Sequence, residues 1–100
     1  MANKIEHCRK AAEFFIKFSS GSKAYLSYAE LPNRVLDFQH TVTPPDQQGK
    51  GIAKQLVKEG LKYAGENNYL VQPTCTYVAK YLQGDGATEQ EKLVDIRHKL

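Results

Sequence analysis

The run Thr43-Pro44-Pro45-Asp46-Gln47-Gln48-Gly49-Lys50-Gly51-Ile52-Ala53 joins two segments of different hydrophobic period. Before it, Leu36, Phe38, His40 and Val42 alternate along residues 35–43 and predict one face of a strand. Pro44-Pro45 ends that strand, because proline cannot donate to a sheet ladder. After it, Ile52, Ala53, Leu56, Val57, Leu61 and Ala64 repeat at helical spacing, predicting a helix from about Gly49 to Asn67. Lys50, Lys54, Lys58 and Lys62 recur on another face of the same helix.

Upstream of this junction the period is two throughout. Phe14, Ile16 and Phe18 share a face over residues 13–18, and Ala24, Leu26 and Tyr28 share one over residues 23–31. Ser19-Ser20-Gly21-Ser22 and Pro32-Asn33 are the turns, so three strands form an antiparallel meander. Downstream of the helix, residues 69–72 read as a short fourth strand. A strand–helix–strand crossover is right-handed and makes this strand parallel to the third. A C-terminal helix starts near Thr74 or Thr76 and carries Tyr77, Val78, Tyr81 and Leu82. The tail has a weak helical pattern at Leu93, Ile96 and Leu100, and residues 4–11 read either as a short helix or as no regular element. The fold class is α/β, in one domain spanning residues 1–100.

Composition agrees with a small globular domain. With 41% hydrophobic and 25% charged residues, the chain is too apolar to be disordered. No apolar run approaches the ~20 residues of a membrane span, and residues 1–10 lack the apolar core of a signal peptide. Cys8 and Cys75 cannot make a disulfide framework, so an intracellular protein, cytoplasmic or nuclear, is expected. A net charge of +3 favours anionic ligands. Arg9, Arg34 and Arg97 are scattered, unlike the clustered cations of a nucleic-acid binder. His7, Cys8 and His98 lack metal-ligand spacing.

The junction is also where chemistry is expected. A helix N-terminus leaves about four backbone N–H groups unpaired and carries a partial positive charge, so it can hold a phosphate. Gly49 and Gly51 leave room for a ligand and Lys50 adds a charge. The alternative is that the glycines shape a turn and the lysines are a solvated face. No Gly-Lys-Ser/Thr closes a Walker loop, and no Gly-x-Gly-x-x-Gly is present.

Gln48-Gly49-Lys50-Gly51-Ile52-Ala53 resembles the Gln/Arg-x-x-Gly-x-Gly/Ala signature of the GNAT superfamily of acetyl-CoA-dependent N-acetyltransferases. His40-Thr41-Val42-Thr43-Pro44-Pro45 before it and Pro73-Thr74-Cys75-Thr76-Tyr77-Val78-Ala79-Lys80-Tyr81 after it are similar to small, single-domain members. The resemblance covers roughly residues 13–82. It implies a minimal GNAT fold without the helices that usually separate the first two strands, leaving the acceptor side open. It implies acetyl-CoA as cofactor, its pyrophosphate on Gln48, Gly49, Lys50, Gly51, Ile52 and Ala53. Its pantetheine arm would lie beside His40, Thr41 and Val42, and its thioester where the third and fourth strands splay apart.

Three residues then become catalytic candidates. His40 is a general base or a core histidine. Cys75 is an acetylated nucleophile, a polar residue lining the acceptor site, or a packed small side chain. Tyr81 takes the place of the superfamily tyrosine that protonates the departing thiolate, with Tyr77 one turn earlier as the alternative. Lys54 and Lys58 contact cofactor phosphates or form a solvated stripe. The expected function is acetyl transfer from acetyl-CoA to an amine acceptor, on a protein or a small molecule, with the oligomeric state open and a monomer compatible with it. The alternative is a CoA- or acyl-CoA-binding module with little turnover, because no acidic base stands out and Asp37 is expected on the face opposite His40.

Overall fold

The computed structural model describes residues 4–99. A five-stranded sheet runs in the order β1 (Glu6–Cys8), β2 (Glu13–Lys17), β3 (Lys23–Leu31), β4 (Val35–Val42) and β5 (Leu70–Pro73). The first four strands are antiparallel neighbours and β5 is parallel to β4. Helix α1 (Ile52–Glu66) is the crossover between β4 and β5, and α2 (Thr76–Gln83) and the short α3 (Glu89–Leu93) follow. The α/β meander, crossover and parallel last strand agree with the pattern of hydrophobic periods. Leu100 lies outside the described residues.

One side of the sheet and α1 make the core. Phe14 and Ile16 from β2, Leu26 and Tyr28 from β3, and Leu36 and Phe38 from β4 pack under Ile52, Leu56, Val57 and Leu61. Gly60 lets α1 come close. A Cβ there would stand 2.9 Å from both Leu26 Cδ2 and Phe38 Cε2. The turns obey backbone sterics: Gly21 takes φ 92°, and Asn33 and Arg34 take φ 67° and 58° between β3 and β4. Arg34 is held in place by hydrogen bonds to the carbonyls of Asn67 and Asn68 and by lying over the Tyr69 ring.

Two expectations are corrected. Residues 4–11 contain neither a helix nor an irregular segment alone but β1, a strand too short to show a period. His7 anchors it, stacked on Phe14 with ring centroids 4.0 Å apart and hydrogen-bonded to the Tyr28 hydroxyl at 2.6 Å. The second correction concerns β4. Tyr28 pairs with Phe38 but Ser27 pairs with His40, so Gln39 is an extra residue in a β-bulge. The bulge reverses the alternation. Leu36 and Phe38 are buried, whereas His40 and Val42 turn outward and are exposed. His40 is therefore not a core histidine, and it shares the outer face with Asp37 instead of opposing it.

Candidate active site

The β4–β5 ladder runs from Val35↔Leu70 to Phe38↔Pro73 and then stops. Beyond it, β4 continues through Gln39–His40–Thr41–Val42 with no β5 partner on that edge. The gap is spanned by the start of α2. Cys75 donates its backbone N–H to the Phe38 carbonyl at 2.9 Å, and its Sγ lies 3.5 Å from Thr41 Oγ1. Thr74 donates its hydroxyl to Asp37, which also accepts from the Gln39 amide at 3.4 Å. His40 and Cys75 thus stand at the edges of one opening, His40 on the exposed face and Cys75 half-buried.

Cys75 is the N-cap of α2, with φ −64° and ψ 126°. Burial raises its thiol pKa, but the Thr41 hydrogen bond and the N–H groups of Val78 and Tyr77 outweigh it and leave the thiol below its ordinary value. Those N–H groups face the sulfur without forming a capping hydrogen bond.

Beyond the end of β4, Pro45–Gln47 form one 3-10 turn, and Gly49 and Gly51 take left-handed φ of 81° and 74°. Gly51 is the N-cap of α1, whose first turn has neither a side-chain cap nor an acidic residue. Its leading N–H groups have no capping side chain. The loop borders a depression of about 220 Å³ lined by Thr43, Gln47, Gln48, Gly49, Gly51, Ile52, Ala53 and Tyr77. A Cβ on either glycine would meet no atom within 4 Å, so the space above the loop is open to a bulky anion. The expected phosphate-loop residues are together here, with Lys50 exposed beside them, its ammonium 3.3 Å from Gln47 Oε1.

The tyrosines of α2 differ. Tyr77 borders the depression and its hydroxyl has no hydrogen-bond partner among the described residues. Tyr81 donates to Glu91 Oε1 at 2.7 Å and accepts from Lys58 Nζ at 3.2 Å. Lys58 also pairs with Glu91 at 3.1 Å, so it is tied to α2 and α3 rather than standing in a free stripe. Burial and the bond to Glu91 raise the Tyr81 pKa. Glu91 escaped the sequence analysis, although Thr88-x-x-Glu91 is a legible capping box. Asp46, bonded to Ser20 and Ser22 far away in sequence, carried no signal there. Among the described residues no cluster of three metal-ligating side chains exists, and no helix is long and apolar enough to cross a membrane.

Comparison with known proteins agrees with the fold. Residues 13–91 match the family of GCN5-related N-acetyl-transferases. Protein NATD1 of Gallus gallus is 35% identical over 81 residues, covering 80% of this chain and 74% of that protein. Protein NATD1 of Homo sapiens is 33% identical over 81 residues, covering 80% and 72%. The solution NMR structure of a GCN5-like protein from Staphylococcus aureus superposes with a TM-score of 0.64 at 25% identity, covering 83% of this chain and 81% of that one. The chain belongs to the GCN5-related N-acetyltransferases, a family of acetyl-transferring enzymes.

Proposed function

We propose that this protein transfers an acetyl group from acetyl-CoA to an amine, with the cofactor lying along the opening from the Gln48–Ala53 loop to the unpaired edge of β4. The observation that carries this reading is the opening itself. An uncapped helix start behind two left-handed glycines follows a strand whose last residues β5 leaves unpaired. The loop N–H groups and Lys50 hold the pyrophosphate, and the β4 edge around His40, Thr41 and Val42 pairs with the pantetheine amides. When bound, acetyl-CoA supplies an activated thioester.

The chain's residues supply the rest. Backbone N–H groups past the bulge polarise a carbonyl placed against the β4 edge, in the manner of an oxyanion hole. His40, exposed on the outer face beside Asp37 and across from Ser27, accepts the proton of an arriving ammonium. The amine then attacks directly, without an acetyl-enzyme. Cys75 lines the site and is held by Thr41. Tyr77, with its hydroxyl uncommitted at the loop, gives its proton to the departing sulfur and takes one back from the nitrogen as the amide forms. Tyr81, whose hydroxyl donates a hydrogen bond to Glu91 and accepts one from Lys58, clamps α2 to α1 and α3.

The outer face is uncovered around His40, so an amine on another protein has access as well as a small molecule. Mass spectrometry after incubation with acetyl-CoA and a panel of small amines and lysine peptides tests the reading. A mass gain of one acetyl group on an amine is the expected result. Tight CoA binding with no acetylated product would favour the CoA-binding module instead.

A further inference from the structure

The loop that bears the glycines is exposed and stitched mainly to itself. Gln47 N–H donates to Pro44 O at 2.9 Å, Gln48 N–H to Pro45 O at 3.4 Å, and the Gln48 amide to Thr43 O at 3.2 Å. Among the described residues, the hydrogen bonds of residues 44–51 that reach outside 43–55 are those of one side chain. Asp46 Oδ2 accepts from Ser20 Oγ at 3.0 Å and from Ser22 Oγ at 3.1 Å, both in the turn between β2 and β3. The same oxygen accepts from Gln47 Nε2 at 3.1 Å, and Gln47 Oε1 accepts from Lys50 Nζ at 3.3 Å. A continuous chain of side chains therefore runs from the β2–β3 turn to the loop lysine.

The turn is shaped for this contact. Gly21 at φ 92° lets the chain double back, bringing the two serine hydroxyls 2.9 Å apart and aiming both at one acceptor. A carboxylate next to a phosphate-binding loop repels its ligand, so its presence needs a compensating role. The Gln47 amide, followed by the two serines, lowers the Asp46 pKa and keeps it an anion able to hold three donors.

We propose that Asp46 is a positioning residue for the cofactor loop, latching it to the β2–β3 turn and, through Gln47, aiming Lys50 at the phosphate. The proposal rests on the reading of the Gln48–Ala53 loop as the CoA pyrophosphate site. A loop ordered before binding loses less freedom when the ligand arrives, so the latch acts on affinity. It makes no contact with the acceptor side.

Calorimetric titration of CoA into wild type, Asp46→Ala, Asp46→Asn, Ser20→Ala/Ser22→Ala and the triple variant Asp46→Ala/Ser20→Ala/Ser22→Ala tests it. Asp46→Ala weakens CoA about five- to tenfold, the scale of one or two lost hydrogen bonds. Asp46→Asn recovers part of the loss, because its amide oxygen still accepts. The serine pair weakens CoA in the same direction, and the triple variant is no worse than Asp46→Ala within about twofold, since coupled groups are not additive. Melting temperatures and the acceptor KM stay near wild type. Unchanged or tighter CoA binding in a folded Asp46→Ala protein would overturn the latch, and so would additive losses in the triple variant. Absence of CoA binding by the wild type would instead overturn the site reading, and the latch with it.

Discussion

The Sγ of Cys75 lies 3.5 Å from the Thr41 hydroxyl, tying the start of α2 to β4 where β4 and β5 part. One residue thus touches the strand edge assigned to the cofactor arm and stands at the N-cap position of the helix that follows. This contact makes the role of Cys75 testable. A site-lining Cys75 predicts that Cys75→Ser retains activity with a shifted acceptor KM and that wild type mixed with acetyl-CoA alone gains no acetyl group. A stoichiometric acetyl-thioester on Cys75 that passes to an added amine would establish a nucleophile instead. Cys75→Ala loses roughly 1–2 kcal/mol of stability for the small cavity it leaves.

Gly51 carries φ 74° at the start of α1 with open space around it. Gly51→Val therefore acts through backbone strain, of about 1–2 kcal/mol for a left-handed non-glycine residue, and not through a clash. The expected result is a much weakened CoA titration in a protein that retains its circular dichroism spectrum. Wild-type affinity in the folded variant would remove this loop from the site.

Tyr77 and Tyr81 are separated by substitution to phenylalanine. Tyr77→Phe is expected to lower kcat by roughly 10²–10⁴-fold, the range of a general acid, with CoA affinity largely retained. Tyr81→Phe leaves Lys58 and Glu91 paired, so it costs some stability and little kcat. A fall in kcat confined to Tyr81→Phe, with its melting temperature unchanged, would move the proton donor to Tyr81.

His7 and Tyr28 give the stability a pH dependence of defined sign. Burial, then the charge of Arg9, lowers the His7 pKa from 6.5, against an opposing effect of Glu59. The unfolded chain takes up this proton first, so its contribution is intact above about pH 7 and declines as pH falls through 6.5. Tyr28 behaves oppositely. Burial pushes its pKa up from 10.0 to about 12, so its contribution is present below pH 10 and lost as pH rises toward 12. Urea midpoints at pH 5.5 and 7.5 should differ less in His7→Gln than in wild type. Equal differences in the two proteins would contradict this.

Much of the fold was legible because each long element keeps a single period. Residues 23–28 alternate without interruption, and Ile52, Leu56, Val57 and Leu61 leave no doubt about α1. Alternation failed at Gln39, where one extra residue moves His40 from the predicted inner face to the outer one. Nothing local marks such a bulge, since it is set by the pairing partner. Strand β1 was invisible for a related reason: three residues held by His7 against Phe14 and Tyr28 show no pattern of their own. The left-handed turn before α1 was readable from Gly49 and Gly51. The Lys58–Tyr81–Glu91 cluster and the Asp46 latch join residues 10 to 33 positions apart and exist only once the chain has folded.

The central claim is that acetyl-CoA occupies the opening between the α1 N-terminus and the free edge of β4. Titration of ¹⁵N-labelled protein with acetyl-CoA, followed by amide chemical shifts, tests it most directly. The account predicts the largest saturable shifts at Gln48, Gly49, Lys50, Gly51, Ile52 and Ala53, a second group at His40, Thr41 and Val42, and smaller changes at Cys75 and Tyr77. Saturable shifts confined to another surface, or none at millimolar acetyl-CoA, would contradict it.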